Sequence, residues 1–445
     1  MEKPNIVLVV FDTLNWDCFH KLTESDPLFN KQVEDFTNFN MAFSPSPWTL
    51  PSHFSLFTGL YPSEHGIHET KDSELDEIFQ KARNYSGEFI SKIASLSGYR
   101  TVGISENPMI SYLTGVEENF DEFYNVDLGE LSGLRISKPQ SHNRNIRIIQ
   151  YIKSSTIANL RGYPKNKGYK ITLSFFSKFI SSEPFFIFIN FMEMHDPYHR
   201  TIWIDDNLTI LNDLFAVKPL KAKYIDKLRN QYCHQVEKVK ESILQLITCL
   251  KKEKKYDNTI VIITSDHGQA LKENGYYGHG TFLYDELIHI PLLIKLPTIY
   301  SQKVNPETYI NLVDVHGFLR AIITEEDDPY KYLKRDKTFS EAFGLQYSKS
   351  SLTSYLQKTK GKEIYDRINV ARKVIIKSGK KLCLNEKSEI EEFYSYFEAN
   401  NGGTNSNHLD DLLFNIDIFN INKDFIIDSQ AIKKKIGVEK NGQKI

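Results

Sequence analysis

Five short stretches of this chain are almost wholly apolar and stop abruptly at polar residues: Ile6 to Phe11, Thr101 to Ile104, Phe185 to Phe191, Thr259 to Thr264 and Ile290 to Ile294. A strand exposed on one face alternates apolar and polar side chains, whereas a strand buried on both faces reads as a continuous apolar run, the mark of parallel sheets. Helical stretches separate the runs. The alternation therefore predicts an α/β domain with a large, mostly parallel central sheet and helices on both faces. Ligands of such sheets bind beyond the carboxyl ends of the strands. Polar residues follow three of the runs there: Asp12 after the first, Glu193 and His195 after the third, Ser265-Asp266-His267 after the fourth.

From Tyr224 to Leu250, apolar residues recur at steps of three or four (Leu228, Tyr232, Val236, Val239, Ile243, Leu246), which predicts one long amphipathic helix. Residues 127–183 are less periodic and read as an inserted helical segment rather than sheet. Beyond residue 325 the pattern changes: Lys373 to Leu384 reads as two short strands around Ser378-Gly379. The expected organisation is a catalytic α/β domain over 1–325 and a smaller antiparallel C-terminal subdomain over 326–445 that completes the site. Its tail after Asn400 is expected to fray.

Composition excludes several classes. With 55 Lys+Arg against 57 Asp+Glu the net charge is −2, so phosphate polymers meet no global attraction and no nucleic-acid partner is expected. Cys18, Cys233, Cys249 and Cys383 lie far apart without metal-ligand spacing and read as free thiols. No basic flank and cleavage site precede the first strand, and no apolar run approaches the roughly 18 residues of a membrane span. The expectation is a soluble cytoplasmic protein; its oligomeric state is not readable.

Taken singly, the polar clusters are ambiguous. Asp12 would serve equally as a helix cap or a metal ligand. Thr49 precedes Pro51 at a turn entering a helix that would stop near Gly59, where free amides favour an anion, but Thr49 or Ser52 would also serve as a cap. Asp266-His267-Gly268 makes an ordinary turn as readily as a ligand pair. His279 lies in a glycine-flanked loop, and His195, Asp196 and His199 cluster around Pro197, which argues for a loop there.

In their order, however, these segments resemble the sulfatase branch of the alkaline phosphatase superfamily. That family has a first strand ending in an acidic metal ligand, here Asn5 to Asp12. Its signature of Cys or Ser, any residue, Pro-Ser-Arg, then Thr-Gly, Pro and His-Gly, corresponds to Thr49-Leu50-Pro51-Ser52-His53, Thr58-Gly59, Pro62 and His65-Gly66. Thr264 to Gly268, the loop Gly275 to Gly280 and Asp285 to Leu293 match its later motifs, and Arg372 to Lys377 and Glu391 to Tyr394 its close. The departures concern chemistry. Sulfatases convert the signature Cys or Ser to formylglycine, and Thr49 cannot be so converted. The usual Arg is His53, a second Asp is Thr13, and a loop Lys that contacts sulfate is His279. These changes move toward the superfamily members in which an unmodified Thr attacks phosphorus.

The resemblance implies a divalent metal held by Asp12, Asp266 and His267 with Thr49 Oγ in the fourth position. Mixed oxygen and imidazole ligands favour Zn²⁺ or Mn²⁺, with Mg²⁺ or Ca²⁺ as alternatives. A threonine hydroxyl needs such help to act as a nucleophile. His195 and His279 are candidates to grip the remaining oxygens or protonate the leaving group, and with His199 they form a candidate second metal site. His53 is a candidate to orient Thr49 or touch substrate. His65 is expected to shape a turn, Asp17 to cap a helix, and His20, His68, His142, His289, His316 and His408 to be structural. The function expected is metal-dependent hydrolysis of phosphate esters, or phosphoryl transfer, on a small-molecule or glycan ester through Thr49. Sulfate ester hydrolysis without formylglycine is the alternative, and a catalytically silent binding protein the third reading.

Overall fold

The computed structural model describes residues 3–70, 74–128, 134–137, 167–196, 198, 206–300, 304–347, 349–387 and 389–395. The central sheet has eight strands: β1 (Asn5–Phe11), β2 (Phe36–Phe39), β3 (Arg100–Ser105), β4 (Glu122–Leu128), β5 (Leu134–Ser137), β6 (Phe185–Phe191), β7 (Thr259–Ser265) and β8 (Leu292–Lys295). Their spatial order is β2-β8-β7-β1-β6-β3-β4-β5. β7, β1, β6, β3 and β4 run parallel, in register from Ile6 against Phe186 and Ile260 to Phe11 against Phe191 and Ser265.

Every residue of β1, β6 and β7 is buried. The reason is visible in the cores. Ile6, Leu8 and Val10 pack on one face with the helices Thr49–Thr58, Ile90–Leu96 and Leu312–Ile323, while Val7, Val9 and Phe11 pack on the other with Trp16–Glu24, Tyr169–Phe176 and Ala222–Lys252. Both faces of the strand must be apolar, so alternation disappears from the sequence. The α/β architecture with a mostly parallel sheet is thus as expected, as is the long helix.

Two expectations are corrected. The run Ile290 to Ile294 yields β8, which is antiparallel to β7 and β2; burial on both faces gives the same apolar run whichever way a strand points. Within 127–183, expected to be helical, β4 ends at Leu128 and β5 adds Leu134–Ser137 as an antiparallel edge strand. Leu-Arg-Ile-Ser alternates with period two, too briefly to stand out. The helix Tyr169–Phe176 lies in the same span; residues 129–133 and 138–166 of it lie outside the described residues, as does the tail after Asn400.

A second, four-stranded antiparallel sheet is formed by β9 (Lys337–Ala342), β10 (Arg372–Lys377), β11 (Lys380–Asn385) and β12 (Ile390–Ser395) in that spatial order. The β10–β11 turn is the expected Ser378-Gly379, with φ of 50° and 74°. Among the described residues no helix is long and apolar enough to cross a membrane.

Candidate active site

The parallel strands deliver their last residues to one edge of the sheet. Asp12 follows β1, Asn107 lies just beyond β3, Asn190 sits at the end of β6, and Asp266-His267 follow β7. Thr49 comes from across the edge, as the first residue of a helix buried from Thr49 to Phe57. Gly59, in the left-handed region at φ 73°, ends that helix, and Gly59 N–H bonds Ser55 O.

Asp12, Asp266 and His267 each offer a ligand atom within 4.8 Å of the others, and among the described residues they form the one group of this kind. Asp12, Asp266 and His267 are fully buried and Thr49 nearly so. Thr49 Oγ1 lies 3.2 Å from His267 Nε2 and 3.5 Å from Asp12 Oδ2. His267 Nδ1 bonds Gly268 O at 2.8 Å, which leaves the Nε2 lone pair turned to the group.

Two buried carboxylates this close repel each other. Burial, reinforced by Asp266, raises the pKa of Asp12 to about 6, and burial raises Asp266 to about 7. Burial also lowers His267 to about 4. Asp12 Oδ1 and Asp266 Oδ2 have no hydrogen-bond partner, although buried polar atoms are as a rule satisfied. Two unpartnered carboxylate oxygens beside an imidazole nitrogen suit a divalent cation, so these residues fit the metal the sequence implies.

The turn after β1 is held from outside. Thr13, at φ 63°, directs its N–H to Asp266 Oδ1 at 3.1 Å, and Tyr232 OH, on the long helix, donates to Thr13 O at 2.6 Å. Asp12 caps no helix; Asn15 does, accepting Cys18 N–H. Asp17 sits in that helix's first turn and pairs with Lys21.

The histidines divide by surroundings. His53, fully buried, bonds Thr49 O through Nδ1 at 2.9 Å; Asp266 Oδ2 lies 3.4 Å from the same Nδ1, and Asn190 Nδ2 lies 3.3 Å from Nε2; burial lowers its pKa to about 3. His279 and His267 rings are 4.7 Å apart and His195 and His279 rings 5.4 Å apart. His279 Nδ1 bonds Gln269 Oε1 at 2.7 Å, and burial, then the two neighbouring histidines, hold its pKa well below the usual value. For His195 burial opposes the charge, but Asp196 Oδ1 at 2.8 Å outweighs it and raises the pKa to about 9. His199 lies outside the described residues, as do His142 and His408. Glu193 binds the backbone N–H of Lys167 at 2.6 Å and Lys238 Nζ at 3.0 Å. His65, as expected, shapes a turn, bonding Pro51 O and accepting Ile67 N–H.

Two residues escaped the sequence reading. Asn107 Nδ2 donates to Asp12 Oδ2 at 2.8 Å, and Asn190 faces His53. Asn107-Pro108 resembles any turn, and Asn190 is the lone polar residue in an apolar run, a signal in hindsight.

Comparison with known proteins agrees with this geometry. A family model described as Sulfatase matches residues 4–321. The arylsulfatase of Clostridium perfringens (strain 13 / Type A) is 22% identical over 336 residues, 66% of this chain and 69% of that protein. The extracellular sulfatase SULF-1 homolog of Drosophila melanogaster is 23% identical over 327 residues, 70% of this chain but only 29% of that longer protein. Among solved structures, a phosphonate monoester hydrolase from Silicibacter pomeroyi superposes with TM-score 0.61 at 14% identity, covering 99% of this chain and 96% of that one. A sulfatase structure from Bacteroides thetaiotaomicron VPI-5482 gives 0.63 at 14% identity, over 100% and 95% of the two chains. A match spanning the first strand, the Thr49 helix and the Asp266-His267 turn leaves one assignment: this chain belongs to the sulfatase family.

Proposed function

We propose that this chain cleaves phosphate esters, as a hydrolase or phosphoryl-group transferase, through a covalent ester on Thr49. One observation carries the reading: an unmodifiable threonine hydroxyl occupies the position of the family's formylglycine, 3.2 Å from His267 Nε2 and 3.5 Å from Asp12 Oδ2. Asp12, Asp266 and His267, with Thr49 Oγ1 alongside, would hold a divalent cation, Zn²⁺ or Mn²⁺ before Mg²⁺ or Ca²⁺, which when bound supplies Lewis acidity toward the ester and hydroxyl oxygens.

Thr49 Oγ1 attacks phosphorus and yields its proton toward Asp12 Oδ2. His53, bonded to Thr49 O, keeps the first helical turn in place. His195, kept protonated by Asp196, gives a proton to the departing alcohol. His279, whose Nδ1–H is engaged by Gln269, offers Nε2 to the proton of the water or acceptor hydroxyl that then attacks the phosphothreonine. Groups whose surroundings drive their protonation apart are suited to such acid and base roles. The substrate class is an ester of a small alcohol or sugar. A phosphonate monoester hydrolase among the structural neighbours favours phosphorus, whereas the sulfatase names of the sequence relatives favour a second reading, sulfate ester hydrolysis without formylglycine.

The test is hydrolysis of chromogenic phosphate diester, phosphate monoester and sulfate ester by Zn²⁺- or Mn²⁺-loaded protein, with Thr49→Ala in parallel. Phosphoester turnover lost in Thr49→Ala is the expected result. Sulfate turnover that survives Thr49→Ala would overturn the proposal.

A further inference from the structure

The two oxygens of Asp12 have different surroundings. Oδ1 has no hydrogen-bond partner and lies 3.9 Å from His267 Nε2. Oδ2 faces Thr49 Oγ1 at 3.5 Å and accepts a 2.8 Å bond from Asn107 Nδ2. Asn107 cannot turn its other end to Asp12 without loss. Its Oδ1 accepts Met109 N–H at 2.9 Å, as the cap of the turn Pro108–Ile110. Its backbone N–H is 3.1 Å from Ser105 Oγ, and that hydroxyl is 3.0 Å from Asn107 O. Backbone and amide oxygen are both fixed, so the NH₂ end is the one left for Asp12.

We infer that Asn107 is a positioning residue for the Thr49 reaction: by occupying Asp12 Oδ2 it presents Oδ1 to the divalent cation and holds Oδ2 toward Thr49. This rests on the reading of Asp12, Asp266 and His267 as a metal site. An outer partner that orients a ligating carboxylate typically changes metal affinity by about 10–100-fold when removed. Asn107 also caps a turn, and the two roles separate by substitution. Asn107→Ser keeps a hydroxyl acceptor for Met109 N–H but cannot reach Asp12. Asn107→Ala loses both contacts.

The experiment is calorimetric titration of the metal-free parent, Asn107→Ser and Asn107→Ala with Mn²⁺, with thermal midpoints of the three metal-free proteins. Both variants are expected to bind Mn²⁺ about 10–100-fold more weakly than the parent and alike, while the midpoint falls further in Asn107→Ala, which loses the cap of Met109 N–H as well as the contact to Asp12. Mn²⁺ binding by Asn107→Ser within about twofold of the parent would overturn the inference alone and leave Asn107 a cap. A parent that binds neither Mn²⁺ nor Zn²⁺ would remove the metal reading and the inference with it.

Discussion

Glu69 is buried beside Trp48, the residue before Thr49; its Oε2 accepts the Trp48 indole N–H at 2.5 Å and its Oε1 accepts Phe343 N–H at 2.8 Å. Burial raises its pKa from 4.5 to about 7, so the folded chain holds the proton more tightly than the unfolded chain does. The stability so gained is complete below pH 4.5 and is lost as pH rises through about 7. That span corresponds to roughly 3 kcal/mol. Glu69→Gln cannot ionise, and its NH₂ opposes one of the two donors, a cost of about 1 kcal/mol. Urea unfolding at pH 5 and pH 8 should show the variant losing roughly 3 kcal/mol less than the parent between the two. At this scale the sequence was selectively legible. Asp12, Asp266 and His267 follow apolar runs and Thr49 lies in a motif, so position marks them. Glu69, Asn107 and Asn190 are single polar residues whose burial depends on chain segments far away, and Glu69 opens a stretch, Glu-Thr-Lys-Asp, that reads as a solvated loop.

The helix Thr49–Thr58 illustrates what an element requires to hold its first residue at the candidate site. Its left-handed Gly59 releases the chain toward Pro62–His65, and His65 returns to bond Pro51 O at 3.2 Å. A side chain on Gly59 would meet both a backbone at φ 73° and the imidazole of His316, which crowds that position. The left-handed conformation costs an alanine roughly 1–2 kcal/mol, and the crowding adds to it. Gly59→Ala is expected to destabilise the chain by about 2 kcal/mol or more in denaturant unfolding. In the double variant Gly59→Ala/His316→Ala the two losses should sum to less than their separate values, because the crowding is removed and only the backbone strain persists. Gly59 was readable as the stop of this helix. Strand direction was not: β8 and the parallel strands share one apolar pattern, and β2, with Thr37 and Asn38 between two phenylalanines, had too little pattern to announce itself.

Over the whole molecule, the C-terminal sheet is joined to the site loop through buried cations. Arg372 Nη1 donates to Thr281 O at 3.2 Å and its Nε meets Glu391 at 2.6 Å; Lys381 reaches Leu283 O, Asp285 and Glu392 at 2.7–2.8 Å; Gln346 donates to His279 O at 3.0 Å. Val374, Ile376 and Cys383 of β10 and β11 share one apolar core with Tyr276, Leu283 and Leu287 of the segment around that loop. Arg372 was legible as part of a motif and Lys381 only as part of a strand, but their reach into the loop depends on three-dimensional packing that no local pattern encodes. A sheet bound this way cannot leave without exposing the core beneath the loop, so residues 337–395 should unfold with the rest. All three tryptophans, Trp16, Trp48 and Trp203, lie outside that stretch, and among the described residues only Trp48 is linked to it by hydrogen bonds, through Glu69 to Phe343 N–H, so their fluorescence reports a separate C-terminal step far less than circular dichroism would. The two signals should therefore coincide in urea. Arg372→Met removes the cation facing Glu391, which keeps Asn385 Nδ2, and takes a donor from the carbonyls of Thr281, Ile368 and Val370, of which Ile368 O keeps Val370 N–H. Breaking a buried pair by removing one partner costs about 3–5 kcal/mol, and partial exposure of Glu391 places this variant at the lower end. Both signals are expected to shift together by that amount. An early dichroism step with unshifted fluorescence would instead mean that the sheet is an independent unit, and that the loop carrying His279 is held by residues 1–325 alone.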